Sequence, residues 1–224
     1  MISTRHARGV LAGSEDFDGN YGQFCRADVE TETAWFPVQT THTTNTSSET
    51  VSTIRFPMHP FLGIMDVTTA SNQRPSSIPP ADYGGNIDLR NLTVESTLFL
   101  PVQIEGAGLY IGNPHFTQGN GEVSLTALEA SLRATLRVQV VPTAEAKRLF
   151  GRTDLPFAIS HGTLIPMGFS STLDDALSQS VEHAIDMIAA MFEMPRQQVY
   201  LLLSAAIDFN VTQVVDITPK AFTV

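Results

Sequence analysis

Two periodicities divide the chain. Between Phe61 and Val141 apolar residues run in short blocks or alternate with polar ones, as strands require, whereas from Thr172 onward they recur at steps of three and four. Phe61 to Val67 (FLGIMDV) reads as a buried strand in which Gly63 marks a bulge or a close approach. Ser96 to Ile104, Gly108 to Gly112, Glu122 to Leu128 and Ser131 to Val141 are rich in β-branched residues and parted by turn residues, which predicts an antiparallel meander. Thr172 to Phe192 predicts an amphipathic helix, with Thr172 as N-cap and Asp174 and Asp175 in its first turn. Pro195 opens a second helix to about Ile207, and FNVTQVVDI after Asp208 returns as a final strand. The expected class is therefore α+β, mainly β: antiparallel sandwich-like or barrel-like sheets with a C-terminal helical hairpin and a last strand.

The remaining stretches are polar or punctuated. Met1 to about Glu32 has no sustained period and reads as an extended arm or irregular lead-in. Thr40 to Thr53 is nearly all Thr, Ser, Asn and Glu, a solvated loop or an edge hairpin, with His42 in solvent. Residues 1–56 thus form an N-terminal arm with a Thr-rich loop, and 57–224 the β-rich body. Ala70 to Gly85, broken by prolines and glycines, is a surface crossing. His59 reads as a core histidine bonded to a carbonyl or as a site residue. Met187, Met191 and Met194 read as core filler and His183 as a polar-face residue.

Charge narrows the partners. Lys plus Arg number 13 against 23 Asp plus Glu, a formal charge of −10, which disfavours nucleic acid and anionic membranes and suits a small neutral or cationic ligand. The single cysteine, Cys25, forms no intrachain disulfide and suggests no zinc knuckle. No signal or membrane-spanning run stands near the start, so the expected setting is the reduced cytoplasm.

The densest chemistry lies in Gly112 to Glu122, GNPHFTQGNGE, where an imidazole, a carboxylate and amides stand among glycines. Glycine lets backbone approach a ligand, His115 offers a nitrogen ligand or base, and Glu122 an oxygen ligand or acid. A polar hairpin loop closing two strands is the plainer reading.

Three stretches together resemble the acetamidase/formamidase family: HPFLGIMDV (His59 to Val67), GGNIDLRNLTVESTLFLPVQIEGAGLYIGNPHFTQGNGEVSLTALE (Gly84 to Glu129) and LLLSAAIDFNVTQVVD (Leu201 to Asp216). The resemblance implies a β-rich fold with helices, and hydrolysis of small linear amides to a carboxylate and ammonia. It implies a site drawn from the Gly-Gly-Asn-x-Asp and His-x-x-Gln-Gly stretches, often with a divalent metal, zinc or calcium. Asn86, Asp88, His115, Gln118 and Glu122 stand at the matching positions. Asn113 and Asn120 stand where the family pattern has Asp, and each removes a negative charge that a divalent ion would favour. The chain is also shorter than typical members, so a further ligand from a histidine-rich N-terminal portion would be absent or come from another subunit.

Amide hydrolysis needs an activated nucleophile, a stabilised oxyanion and a proton for the departing nitrogen. Neither a Gly-x-Ser-x-Gly elbow nor a Ser-x-x-Lys signature is present, and Cys25 has no implied partner, which leaves water. Asp88 and His115 would hold the metal, Glu122 and His115 would act on protons, and Asn86, Asn113, Gln118 and Asn120 would contact the substrate. The alternative reading of Asp88 is that it caps its turn or pairs with Arg90. The runner-up is an impaired relative that binds a small polar ligand or assembles with an active homologue. Homo-oligomerisation is expected in either case.

Overall fold

The computed structural model describes residues 54–123 and 125–216 with side chains, and only the backbone of residues 2–3, 9–11, 25–29, 33–39, 51–53 and 220–223. In chain order the strands begin with β1 (Ile2–Ser3), β2 (Gly9–Leu11), β3 (Cys25–Val29), β4 (Thr33–Gln39) and β5 (Val51–Pro57). There follow β6 (Phe61–Asp66), β7 (Gly84–Asn86), β8 (Thr97–Phe99), β9 (Tyr110–Thr117), β10 (Leu128–Glu129) and β11 (Arg133–Ala134). The rest is α1 (Thr143–Phe150), β12 (Phe157–Ser160), β13 (Thr163–Ser170), α2 (Leu173–Phe192), α3 (Arg196–Ala206), β14 (Asn210–Gln213) and β15 (Lys220–Thr223).

An eight-stranded sheet runs β5-β4-β3-β2-β10-β9-β6-β7, and a five-stranded sheet runs β14-β15-β13-β12-β8. Their strand pairs are antiparallel, as the alternating pattern predicts. One core cluster joins Phe61 of β6 and Ile87, Leu89 and Leu92 beyond β7 to Ala158 of β12 and Ile165, Met167 and Phe169 of β13, so the two sheets share an apolar interior. β13 is buried on both faces, because α2 lies across its other side.

That second contact is close enough to dictate a residue. A Cβ at Gly168 would run into the Ala176 carbonyl oxygen and the Ser180 amide nitrogen of α2. α2 itself starts as the sequence predicts: the Thr172 hydroxyl accepts from the Asp175 amide at 3.2 Å, satisfying an orphan donor of the first turn. Ala184 and Ile185 of α2 pack against Val199 and Leu203 of α3, completing the expected helical hairpin.

Several sequence expectations change. Where an irregular lead-in is predicted, parts of the N-terminal stretch form β2 and β3 and pair into the large sheet; strands this short carry too few alternations to register as a period. His42 and residues 40–50 lie outside the described residues. The expected strand Ser131 to Val141 leaves the sheet after β11, and Val138 and Val140 stand exposed. α1 and the β12–β13 hairpin were not anticipated. His183 is fully buried rather than polar-facing, its Nδ1 lying 3.0 Å from the Met167 carbonyl oxygen, a bond that compensates its desolvation. His59 is exposed rather than core, and only its backbone amide is tied in, to the Phe116 carbonyl oxygen at 2.9 Å. Among the described residues no helix is long and apolar enough to cross a membrane.

Gly168→Ala should destabilise the protein by about 1–3 kcal/mol through forced separation of α2 from β13. Urea unfolding measures this; stability within about 0.5 kcal/mol of wild type would show that the helix is free to shift.

Candidate active site

β9 forms the floor of the site. Its alternation puts Asn113 and His115 on one face, and the neighbouring strands add Phe61 and Glu129, each paired in register with His115. The Phe61 ring meets the His115 imidazole edge to face at 4.8 Å, fixing the ring's direction. Glycine at position 63 keeps this floor low: a Cβ there would collide with the side-chain oxygens of both Asn113 and Asp88. The expected close approach is thus present.

Asp88 reaches the floor from the turn after β7, where its amide donates to the Gly63 carbonyl at 3.1 Å. Gln118 ties that turn to β14, its Nε2 donating to the carbonyls of Asp88 at 2.9 Å and Thr212 at 3.2 Å. Glu122 does not begin a strand, as its sequence suggested. It sits at φ 42°, with the Leu125 amide closing a turn onto its carbonyl at 3.0 Å. The preceding Gly121 exchanges backbone hydrogen bonds with the β14 edge, holding the loop in place.

Asp88, His115 and Glu122 therefore converge, with ligand atoms all within 4.8 Å of one another and each side chain buried. Asp88 (φ 49°), Asn113 (φ 50°) and Glu122 (φ 42°) share left-handed backbone. Such conformations cost roughly 1–3 kcal/mol each and persist where a surrounding structure imposes them.

Charge and hydrogen bonding are unbalanced at this point. Burial first, then the negative charges of Glu122, Asp216 and Glu129, push the Asp88 carboxyl well above the usual carboxylate range. Burial, then Asp216 and Glu129, push Glu122 up to about 8, and two carboxyls raised this close together favour keeping a proton on the pair. Burial lowers His115 to about 4, leaving a neutral imidazole at neutral pH. His115 Nε2 stands 3.9 Å from Asp88 Oδ1 and 3.9 Å from Glu129 Oε1, too far for hydrogen bonds. Buried without hydrogen-bond partners are Asp88 Oδ1, Asn86 Oδ1, Asn113 Oδ1, Gln118 Oε1 and both His115 nitrogens. An imidazole, carboxylates and amide oxygens left unpaired around a gap of this width suit a divalent cation, and the triad is a possible metal-binding set.

Asn120 lies apart from these orphaned atoms: it is exposed, and its Nδ2 donates to Asn210 Oδ1 at 3.3 Å. The Asp88–Arg90 pair weighed from sequence does not form among the described residues, and Arg90 is absent from the charges acting on Asp88. Two carboxylates were missed. Asp216 is buried and accepts from Asn86 Nδ2 at 2.6 Å, while Thr126 donates to Glu129 at 3.1 Å. The available signal was a lone acid closing each of two apolar blocks, VVD and TALE.

A model of the Acetamidase/Formamidase family matches residues 67–224. A formamidase of Methylophilus methylotrophus is 46% identical over 48 residues, 21% of this chain and 12% of that protein. An acetamidase of Mycolicibacterium smegmatis is 44% identical over 54 residues, 24% of this chain and 13% of its own length. The matched segments thus span a small part of either relative. The crystal structure of an acetamidase from Bacillus halodurans superposes with a TM-score of 0.73 at 21% identity, covering 100% of this chain and 72% of that one, a likeness of fold.

The shifted groups set opposite pH dependences on the metal-free protein. Glu122, raised from 4.5 to about 8, binds its proton more tightly folded than unfolded; its contribution is present below about pH 4.5 and lost as pH rises through about 8. His115, lowered from 6.5 to about 4, contributes above about pH 6.5 and loses that contribution as pH falls toward 4. Urea unfolding with chelator present should show stability falling from pH 6.5 to 9, and Glu122→Gln should flatten the slope. An identical slope in the variant would refute the buried, protonated Glu122.

Proposed function

The chain belongs to the acetamidase/formamidase family, and on that premise we propose that it hydrolyses a short linear amide to a carboxylate and ammonia at the Asp88–His115–Glu122 centre. The observation that carries the reading is the convergence of a neutral imidazole and a protonatable carboxylate on one buried spot whose polar atoms lack protein partners. A structural polar cluster would have satisfied them.

In the proposed reaction Glu122 removes a proton from the attacking water as its oxygen bonds to the carbonyl carbon. It then delivers that proton to the nitrogen as the C–N bond breaks. A carboxyl poised near 8 is matched to taking and giving a proton near neutral pH. Asp88 and His115 would hold a divalent ion, zinc fitting the imidazole donor better than calcium, which when bound would polarise the carbonyl and acidify the water. Neutral His115 keeps a lone pair for that role and, being buried, excludes solvent from it. Asn86, Asn113 and Gln118, whose side-chain oxygens face no protein donor, orient the amide NH2, and Asn120 would act from the rim.

The division into a 1–56 arm with its Thr-rich loop and a 57–224 body is carried as part of this proposal. So are a cytoplasmic setting and a homo-oligomer, the latter supported by exposed Phe192, Tyr200 and Leu201 along the helical hairpin. A second reading, an impaired relative that binds a small polar ligand or assembles with an active homologue, is favoured by Asn113. Its neutral amide oxygen stands beside Asp88 where the family pattern carries a charge.

Metal analysis with ammonia release from formamide, acetamide and longer amides tests the proposal. His115→Ala and Glu122→Gln should each lower turnover at least about a hundredfold while the fold, followed by circular dichroism, is kept. No ammonia from any amide at any metal loading would leave the binding reading instead. Asn113→Asp should tighten metal binding, whereas Asn120→Asp, altering an exposed residue, should not; equal effects would contradict the placement of Asn113.

A further inference from the structure

A groove of about 330 Å³ opens beside the site, lined by Phe56, His59, Arg90, Gln118, Thr126 and Leu128 among others. Its lining belongs to the same elements that supply the chemistry. Arg90 follows Asp88 by two positions, Gln118 donates to the Asp88 carbonyl, Leu128 shares its strand with Glu129, and the Thr126 hydroxyl donates to the Glu129 carboxylate. An amide the size of acetamide fills only a fraction of this volume, which lies at the lower end of ligand pockets of roughly 300–1,000 Å³.

The charges are sorted by position. Asp88, Glu122, Glu129 and Asp216 crowd the reacting end, an acidic setting that disfavours an anionic group and suits a neutral amide. The groove instead carries Arg90 and the exposed imidazole of His59, with Phe56 and Pro57 for an apolar chain. Among the described residues Arg90 makes no ion pair, although the protein holds 23 acidic side chains. A guanidinium is the side chain best built to grip a carboxylate through two parallel hydrogen bonds.

We propose that this groove is an acyl-side subsite and that Arg90, helped by His59, binds the terminal carboxylate of an amide whose acyl chain ends in an anion, the half-amide of a short dicarboxylic acid. The inference rests on the amidase reading for its reaction and deepens it by naming the substrate class. Hydrolysis of such a half-amide consumes one water, breaks the C–N bond and leaves a dicarboxylate plus ammonia. The new carboxylate forms among the site's own acids and is repelled from them.

Ammonia release is measured for malonamate, succinamate and glutaramate against the neutral butyramide, in wild type, Arg90→Met and Arg90→Lys, with calorimetric titration of succinate at low and high salt. Wild type should prefer one of the half-amides to butyramide. Arg90→Met should lower kcat/KM for that half-amide by about 10- to 100-fold, with butyramide changed by less than about threefold. Arg90→Lys, folding with the charge kept but the fork lost, should fall between them. Succinate should bind wild type, weaken with salt and lose affinity in Arg90→Met. Equal losses on charged and neutral amides, or succinate binding indifferent to Arg90→Met, would overturn the subsite. Should no amide yield ammonia, the hydrolase reading fails by itself, and the succinate titration still decides the groove: binding that depends on Arg90 supports it, and no binding overturns it.

Discussion

Several acids and one imidazole held together away from water set the terms for everything else in this structure. Asp88 and Glu122 cannot both ionise beside Asp216 and Glu129 in a low-dielectric interior, so protons stay on the carboxyls and off the histidine. That arrangement opposes folding, and a chain that adopts it must be compensated by the sheets around it. The shared core between β6 and β13, and the helices laid over β13, supply that support at a distance from the acids themselves.

The backbone carries the same tension. A glutamate, an asparagine and an aspartate in left-handed conformation are all found at the place where the side chains meet. Each is fixed by something specific: Asp88 by the Gly63 carbonyl and Gln118, Glu122 by its turn and the Gly121 contact with β14, Asn113 by its seat within β9. A sheet floor that is flat and low at Gly63 makes room for oxygens that any side chain would displace. Rigid strands thus position the floor, while strained turns carry in the acids that must stand above it.

Outside that centre the electrostatics reverse within a few residues. The step from Asp88 to Arg90 leads from a buried carboxyl to a cation with no ion-pair partner among the described residues. Asp88 stands in left-handed backbone and Arg90 enters the turn that follows, so the chain changes direction between them. One short stretch therefore serves two opposite charge environments.

The helices and the antiparallel character of the sheets were legible in the chain because local periodicity reports a buried face directly: Thr172 caps α2 and Phe61 is buried in β6 as their patterns demand. His115 and Glu122 were legible as chemistry, since few loops hold such groups among glycines. Asp88 entered through the family pattern. Tertiary structure alone decided that GNPHF is strand rather than loop, that Glu122 sits in a turn, that His183 is buried and His59 exposed, and that Asp216 joins the site from the bend after β14, 130 positions beyond Asn86. Burial and convergence are properties of what packs against a residue, and partners so distant in sequence leave no local period to read.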